Sequence, residues 1–180
     1  MKLEAKQRLR AFQLINQAVG PKPEQVKRLG ERYKNELEWV HGASNDPNLT
    51  VGFLNYEGKH LIFYIFYNGK CEGNVVFNFL EGRATGLDSK LRLPHLATPH
   101  SVLDPSVRSK GIVSFLYRRA LESGITLVSE AHTEMASSLW NHLANNSKFY
   151  LYHFEAGRVV PEPTPTSVKV LTKKRISNGR

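Results

Sequence analysis

The chain has 180 residues, 41% of them hydrophobic and 10% aromatic, which suits a globular domain large enough to bury a core. It has no run of about 18 apolar residues to span a membrane, no apolar centre near its start to serve as a signal peptide, and a single cysteine, Cys71, which excludes an internal disulfide. The formal charge of +9 sits mostly at the ends: residues 1–40 carry nine Lys/Arg against five Asp/Glu, and residues 161–180 carry five against one. The expected setting is therefore cytoplasmic and reducing, and the basic ends imply either plain solubility or contact with nucleic acid or another acidic partner.

Residues 2–19 place Leu3, Leu9, Phe12, Ile15 and Val19 at helical spacing. Gly20-Pro21-Lys22-Pro23 breaks this helix and starts a second, which the spacing of Val26, Leu29, Tyr33, Leu37 and Val40 carries to about residue 40. A loop at 45–48 leads to three β-rich runs, 49–56, 60–67 and 71–80. Glu57-Gly58 and Asn68-Gly69 separate them, and Asn-Gly between such runs is a strong hairpin signal. Within the second run, Phe63-Tyr64-Ile65-Phe66-Tyr67 is read as a central strand rather than as a platform for stacked bases. Residues 81–92 read as a loop. A strand over 95–103, a helix over about 110–122 and a strand over 124–129 follow. Next come a helix over 133–140 and a hairpin of 148–154 with 158–160. The Pro-rich stretch from Pro161 opens a C-terminal tail set apart from a single domain of 1–160. Within the tail, 168–171 is expected as a short, exposed edge strand able to pair with another chain, before a basic end.

The most informative stretch is residues 102–113, Val-Leu-Asp-Pro-Ser-Val-Arg-Ser-Lys-Gly-Ile-Val. It reads as the end of an apolar strand, a tight turn rich in glycine and cations, and a helix start. A helix N-terminus presents backbone N–H groups and the positive end of its dipole to an anion. Gly111 lets a ligand approach the backbone closely, and Arg108 and Lys110 flank it.

This segment resembles the cofactor signature of the GNAT N-acetyltransferase superfamily. Leu103-Asp104-Pro105 matches the end of the family's central strand, and Arg108-x-x-Gly111 matches the first half of its pyrophosphate loop. Val113 stands where the family has Gly or Ala. Downstream, Thr133, Ala136 and Trp140 fall on the family's Asn-x-x-Ala-x-x-x-Tyr pattern, with Trp140 in place of its usual general acid. The resemblance covers about residues 93–155, and its Leu-Trp helix end is similar to a divergent subgroup often encoded by phages, which would place the protein in a host cytoplasm. It implies an α/β (α+β) fold: a mixed, mostly antiparallel sheet flanked by helices, here preceded by two N-terminal helices.

The resemblance further implies acetyl-coenzyme A as cofactor and transfer of an acetyl group to an amine. Backbone groups around Ser101 to Leu103 would meet the pantetheine arm. Amides of Ser109, Lys110, Gly111, Ile112 and Val113 would take the pyrophosphate, with Arg108 adding charge. The substrate would enter beside His100, Glu130 and His132, the candidate bases. Ser129 would either hydrogen-bond the thiolate or be an ordinary buried strand serine. Tyr150 and Tyr152, which share a face and so both point at the site or both at solvent, are the candidates to stand in for the missing acid, since an indole cannot protonate a thiolate. Neither loop 81–92 nor the N-terminal helices, which would shape the acceptor cleft, carry a motif that names the acceptor. The histidines and Cys71 lack zinc-finger spacing, so no metal is expected. The competing reading is an inactive relative of the same fold that binds nucleic acid or an acidic partner through its basic ends.

Overall fold

The computed structural model describes residues 22–56, 58–80, 93, 95–129, 134–155, 158–162, 164 and 167–174. The expected helix over 2–19, the loop over 81–92 and the basic end at 175–180 lie outside these residues. The chain divides into two compact units, one of residues 1–76 with 100–113, the other of 77–99 with 114–180.

In the first unit, helix α1 (Pro23–Tyr33) starts on a proline, whose missing N–H costs nothing at a helix start. The Gln25 side chain accepts a hydrogen bond from the Lys22 N–H at 3.2 Å, closing that end. The helix buries Val26, Leu29, Gly30 and Tyr33. It is shorter than its spacing implies. After Tyr33 the chain makes a 3-10 turn, Lys34–Glu36, and then extends into strand β1 (Glu38–Val40). Trp39 and Val40, expected on a helix, instead face Gly52 and Val51 across β2 (Leu49–Tyr56). A ladder partner overrides a helical spacing that local sequence only weakly enforces.

Strands β2 and β3 (His60–Tyr67) pair antiparallel from Leu49↔Tyr67 to Tyr56↔His60. Strand β4 (Lys70–Phe79) follows through Asn68 and Gly69, both at positive φ, as the Asn-Gly signal requires. In this unit the strand order is β1-β2-β3-β4, then the end of β5 (Leu96–Leu103). Leu29, Tyr33 and Leu37 pack on Ile62, Tyr64, Phe66, Cys71 and Val76 to form its core.

The second unit takes the remainder of β4 and β5, helix α2 (Ile112–Glu122) from Ser114 onward, β6 (Thr126–Ser129), α3 (Glu134–Ala144), β7 (Phe149–Glu155), β8 (Arg158–Val159) and β9 (Val168–Lys173). Its strand order is β4-β5-β6-β9-β7-β8. Strands β5 and β6 are parallel, through Leu96↔Thr126 and Ala97↔Leu127, whereas β6–β9, β7–β9 and β7–β8 are antiparallel. The mixed, mostly antiparallel α+β architecture is thus present. Leu96, Val128, Phe154 and Val170 form one core cluster, and Phe77 meets Tyr117 edge-on at 5.6 Å.

The tail departs from expectation. Strand β9 is not an edge: it lies between β6 and β7 and pairs with both, and Val170 and Leu171 are fully buried. The Pro-rich stretch before it is tied back, because Glu155 Oε1 accepts from Thr164 Oγ1 at 2.6 Å and from Ser167 Oγ at 2.7 Å. Residues 168–173 therefore belong to the sheet rather than to a separate tail. No helix among the described residues is long and apolar enough to cross a membrane.

Candidate functional site

The loop after β5 is built from the backbone outward, entirely within the first unit. Asp104 is extended, and its Oδ1 accepts from the Ser106 N–H at 3.0 Å. This caps a 3-10 turn, Pro105–Val107, whose Val107 is buried and anchors the loop. The Val107 and Arg108 N–H groups are satisfied by Asp104 O and Pro105 O. The chain then passes through two left-handed residues, Ser109 (φ 59°) and Gly111 (φ 76°), and α2 begins at Ile112. The first-turn N–H groups of any α-helix lack acceptors within the helix. They emerge here behind two backbone reversals, next to Ser109 and Lys110, which are exposed. A Cβ built on Gly111 would meet no atom of the described residues within 4 Å, so among them the space over the loop is open. These features fit a pyrophosphate.

The side chains are more committed than the sequence implied. Arg108 is exposed, and its Nε donates to Leu103 O at 3.0 Å. Lys110 Nζ pairs with Asp46 Oδ2 at 3.1 Å and sits 4.4 Å from the centroid of the Tyr67 ring. Asp46 holds Lys110 above its ordinary pKa. Ile112 is buried and Val113 half-buried. Ser101 is exposed and Leu103 half-buried. A Cβ on Gly73 would strike Val102 O, so β4 runs hard against the end of β5. His100 keeps solvent contact, yet partial desolvation lowers its pKa and favours the neutral ring.

Beneath the loop lies a charge cluster that the sequence reading did not single out. Lys27 Nζ of α1 lies 2.7 Å from Glu72 Oε2 on β4 and 2.7 Å from Asp104 Oδ2. The pairing, with Lys27 foremost, holds the Asp104 carboxyl at about 2. The one signal in the sequence was a lysine one turn before Gly30, flanking the buried stripe of α1.

Tyr150, Ser129 and Trp140 belong to the second unit. Tyr150 is 48% exposed, with Lys174 Nζ 4.3 Å from its ring centroid. Tyr150, Tyr152 and Phe154 follow one another along one face, at ring separations of 5.9 and 6.3 Å. Trp140 is buried, so its indole serves the core. Ser129 lies opposite Lys169, which lies opposite His153, and Lys169 Nζ donates to Ser137 Oγ of α3 at 3.2 Å. Glu130, His132 and Thr133 lie outside the described residues. Among the described residues, no three His, Cys, Asp or Glu side chains gather to hold a metal.

No protein-family model matches the chain. No curated protein matches it either. Several solved structures align with it. One is RimL, a ribosomal L7/L12 alpha-N-protein acetyltransferase in complex with coenzyme A, at 15% identity and a TM-score of 0.40 over 67% of this chain and 65% of its own. A GNAT-family acetyltransferase from Streptococcus pneumoniae aligns at 18% identity and a TM-score of 0.36, over 63% and 66%. A chimera of the spermidine N-acetyltransferase SpeG from Vibrio cholerae and hSSAT aligns at 16% identity and 0.39, over 96% and 93%. The alignment thus spans slightly less than two thirds of the first two of these proteins. All three of these structures are acetyltransferases.

Proposed function

We propose that this chain is an acetyl-CoA-dependent N-acyltransferase that moves an acetyl group to an amine. The observation that carries the reading is the loop between β5 and α2. Its two left-handed residues, its open space over Gly111 and its helix start coincide with the Arg108-x-x-Gly111 signature. The amides of Ser109 to Val113 hold the pyrophosphate, and the exposed Arg108 adds charge beside it. Backbone groups of Ser101 to Leu103 orient the pantetheine arm. Acetyl-CoA supplies a thioester carbonyl open to attack by an amine. The new C–N bond would form as the thioester C–S bond breaks, with coenzyme A leaving as its thiolate. A ring nitrogen of His100, kept neutral near pH 7 by the desolvation that lowers its pKa, would accept the proton that the amine releases.

Thermal unfolding with and without acetyl-CoA tests the reading. At 100 times the dissociation constant the cofactor adds about 2.7 kcal/mol to the folded state. A rise in Tm that is lost in Gly111→Val is expected, since a β-branched residue at positive φ distorts the loop. An unchanged Tm at millimolar cofactor overturns the reading. His100→Gln is expected to lower kcat for thiol release while leaving cofactor affinity intact.

A further inference from the structure

We propose that Lys27, on α1, is the positioning residue of the anion-binding loop, setting through Asp104 the turn that aims the loop amides. The inference rests on the cofactor reading above and goes beyond it, because Lys27 lies 77 residues from Asp104 in sequence and outside every motif.

Asp104 is held from three directions. Its N–H donates to Glu72 O at 2.8 Å, its Oδ1 accepts from the Ser106 N–H, and its Oδ2 accepts from Lys27 Nζ. Lys27 lies between two carboxylates, those of Glu72 and Asp104, whose side chains are only 20% and 29% exposed. Removing the ammonium leaves two like charges facing each other without a counter-charge, and they repel. Glu72 sits on β4, which is pressed against β5 at Gly73, so the freer partner is Asp104. When its carboxylate swings away, the Ser106 N–H loses its acceptor. The turn at Pro105–Val107 then loosens immediately before Ser109.

Helix α1 does not depend on this contact for its place. Val26, Leu29 and Tyr33 are buried, Gly30 lies flush against Cys71, and Glu31 Oε1 accepts from the Cys71 N–H at 2.6 Å. Loss of Lys27 should therefore disturb the loop more than the fold.

Calorimetric titration of the full chain with coenzyme A compares wild type, Lys27→Met, Lys27→Arg and Asp104→Asn. Amide hydrogen exchange at Ser106 is followed in the free proteins. Lys27→Met is expected to raise Kd at least about tenfold, the scale on which a loosened support degrades a site. Ser106 exchange should speed up in the same variant, and its affinity for pantetheine, which lacks the pyrophosphate, should not change. Lys27→Arg keeps the charge and is expected to restore both readouts. Asp104→Asn keeps an acceptor for Ser106 but not the charge that draws Lys27, and should give a smaller rise in Kd. Unchanged coenzyme A affinity in Lys27→Met, or in Asp104→Asn should the first variant not fold, overturns the proposal while the cofactor site stands. Failure of the wild type to bind coenzyme A overturns the cofactor reading and the proposal together.

Discussion

Two glycines carry opposite requirements, and substitution separates them. Gly111 needs its positive φ but has room for a side chain, since a Cβ there meets no atom of the described residues within 4 Å. Gly111→Ala should therefore lose only the left-handed backbone penalty, about 1 kcal/mol, with no clash added. Urea unfolding would measure it, and a loss near zero would mean that the loop does not hold this φ in solution. Gly30 is the reverse case. Its backbone is helical, and alanine there would gain about 1 kcal/mol of helix propensity. A Cβ, however, would collide with Cys71 Sγ and lie 3.0 Å from the Tyr64 ring. Overpacking a filled site costs about 1–3 kcal/mol, and it should win because Cys71 and Tyr64 are themselves buried. Gly30→Ala is expected to destabilise, and Cys71→Ala in the same chain to recover the part of the loss due to Sγ, since the Cβ of residue 71 still lies 2.9 Å away. Additive effects across that double-mutant cycle would refute the contact.

At the scale of elements, β9 shows what local sequence conveys and what it does not. The alternation in Val168-Lys169-Val170 identified a strand, but nothing local said that it pairs with β6 on one side and β7 on the other. Strand order is a long-range property, and the prolines before β9 disguised it as a tail. Strand β1 was missed for a related reason: Leu37 and Val40 continue a helical spacing, and only the β2 partners of Glu38, Trp39 and Val40 pull the chain into a ladder. Features set by the local backbone were legible. Asn68-Gly69 gave the turn, and Gly111 gave the reversal before α2. In the site, the loop was visible in the residues, whereas Asp46 on Lys110 and Lys27 on Asp104 were not, because no motif links such distant partners. The interior place of β9 has a sharp consequence. Val170→Asp would bury a carboxylate between two strands, directly opposite the uncharged Val128 and Tyr152, a change in the class that exceeds about 4 kcal/mol. Loss of cooperative unfolding is expected. A folded variant with wild-type urea midpoint would show that β9 detaches freely.

Over the whole molecule, the titratable groups define a window of stability bounded on both sides. On the acid side, His100 is held below its ordinary value of 6.5 by desolvation. His153 is lowered by desolvation and then by Lys169 opposite it. The unfolded chain thus binds more protons than the folded one as pH drops below about 6.5, and stability falls. A second loss comes lower, from carboxyls held below their ordinary values: Glu155 by Thr164 and Ser167, Asp46 by the Asn48 N–H and Lys110, and Asp104 by Lys27. Their contribution is complete above ordinary carboxylate values and disappears as pH falls, for Asp104 down to about 2. On the alkaline side, burial raises the Cys71 thiol from 9.0 to about 11. The unfolded chain releases that proton first, so stability declines as pH rises through this range. Lys27 and Lys110, both raised by their carboxylate partners, extend the decline above 10.5. Urea midpoints should accordingly be flat from about pH 7 to 8.5 and fall on either side. Each arm has a variant that isolates it. His153→Gln should flatten part of the fall below pH 6.5, and Cys71→Ala should delay the alkaline fall until Tyr64 and Tyr117, both raised from 10.0 by burial, and then the lysines titrate. If His153→Gln left the acid arm unchanged, His153 would not be its source, and the early loss would have to come from His100.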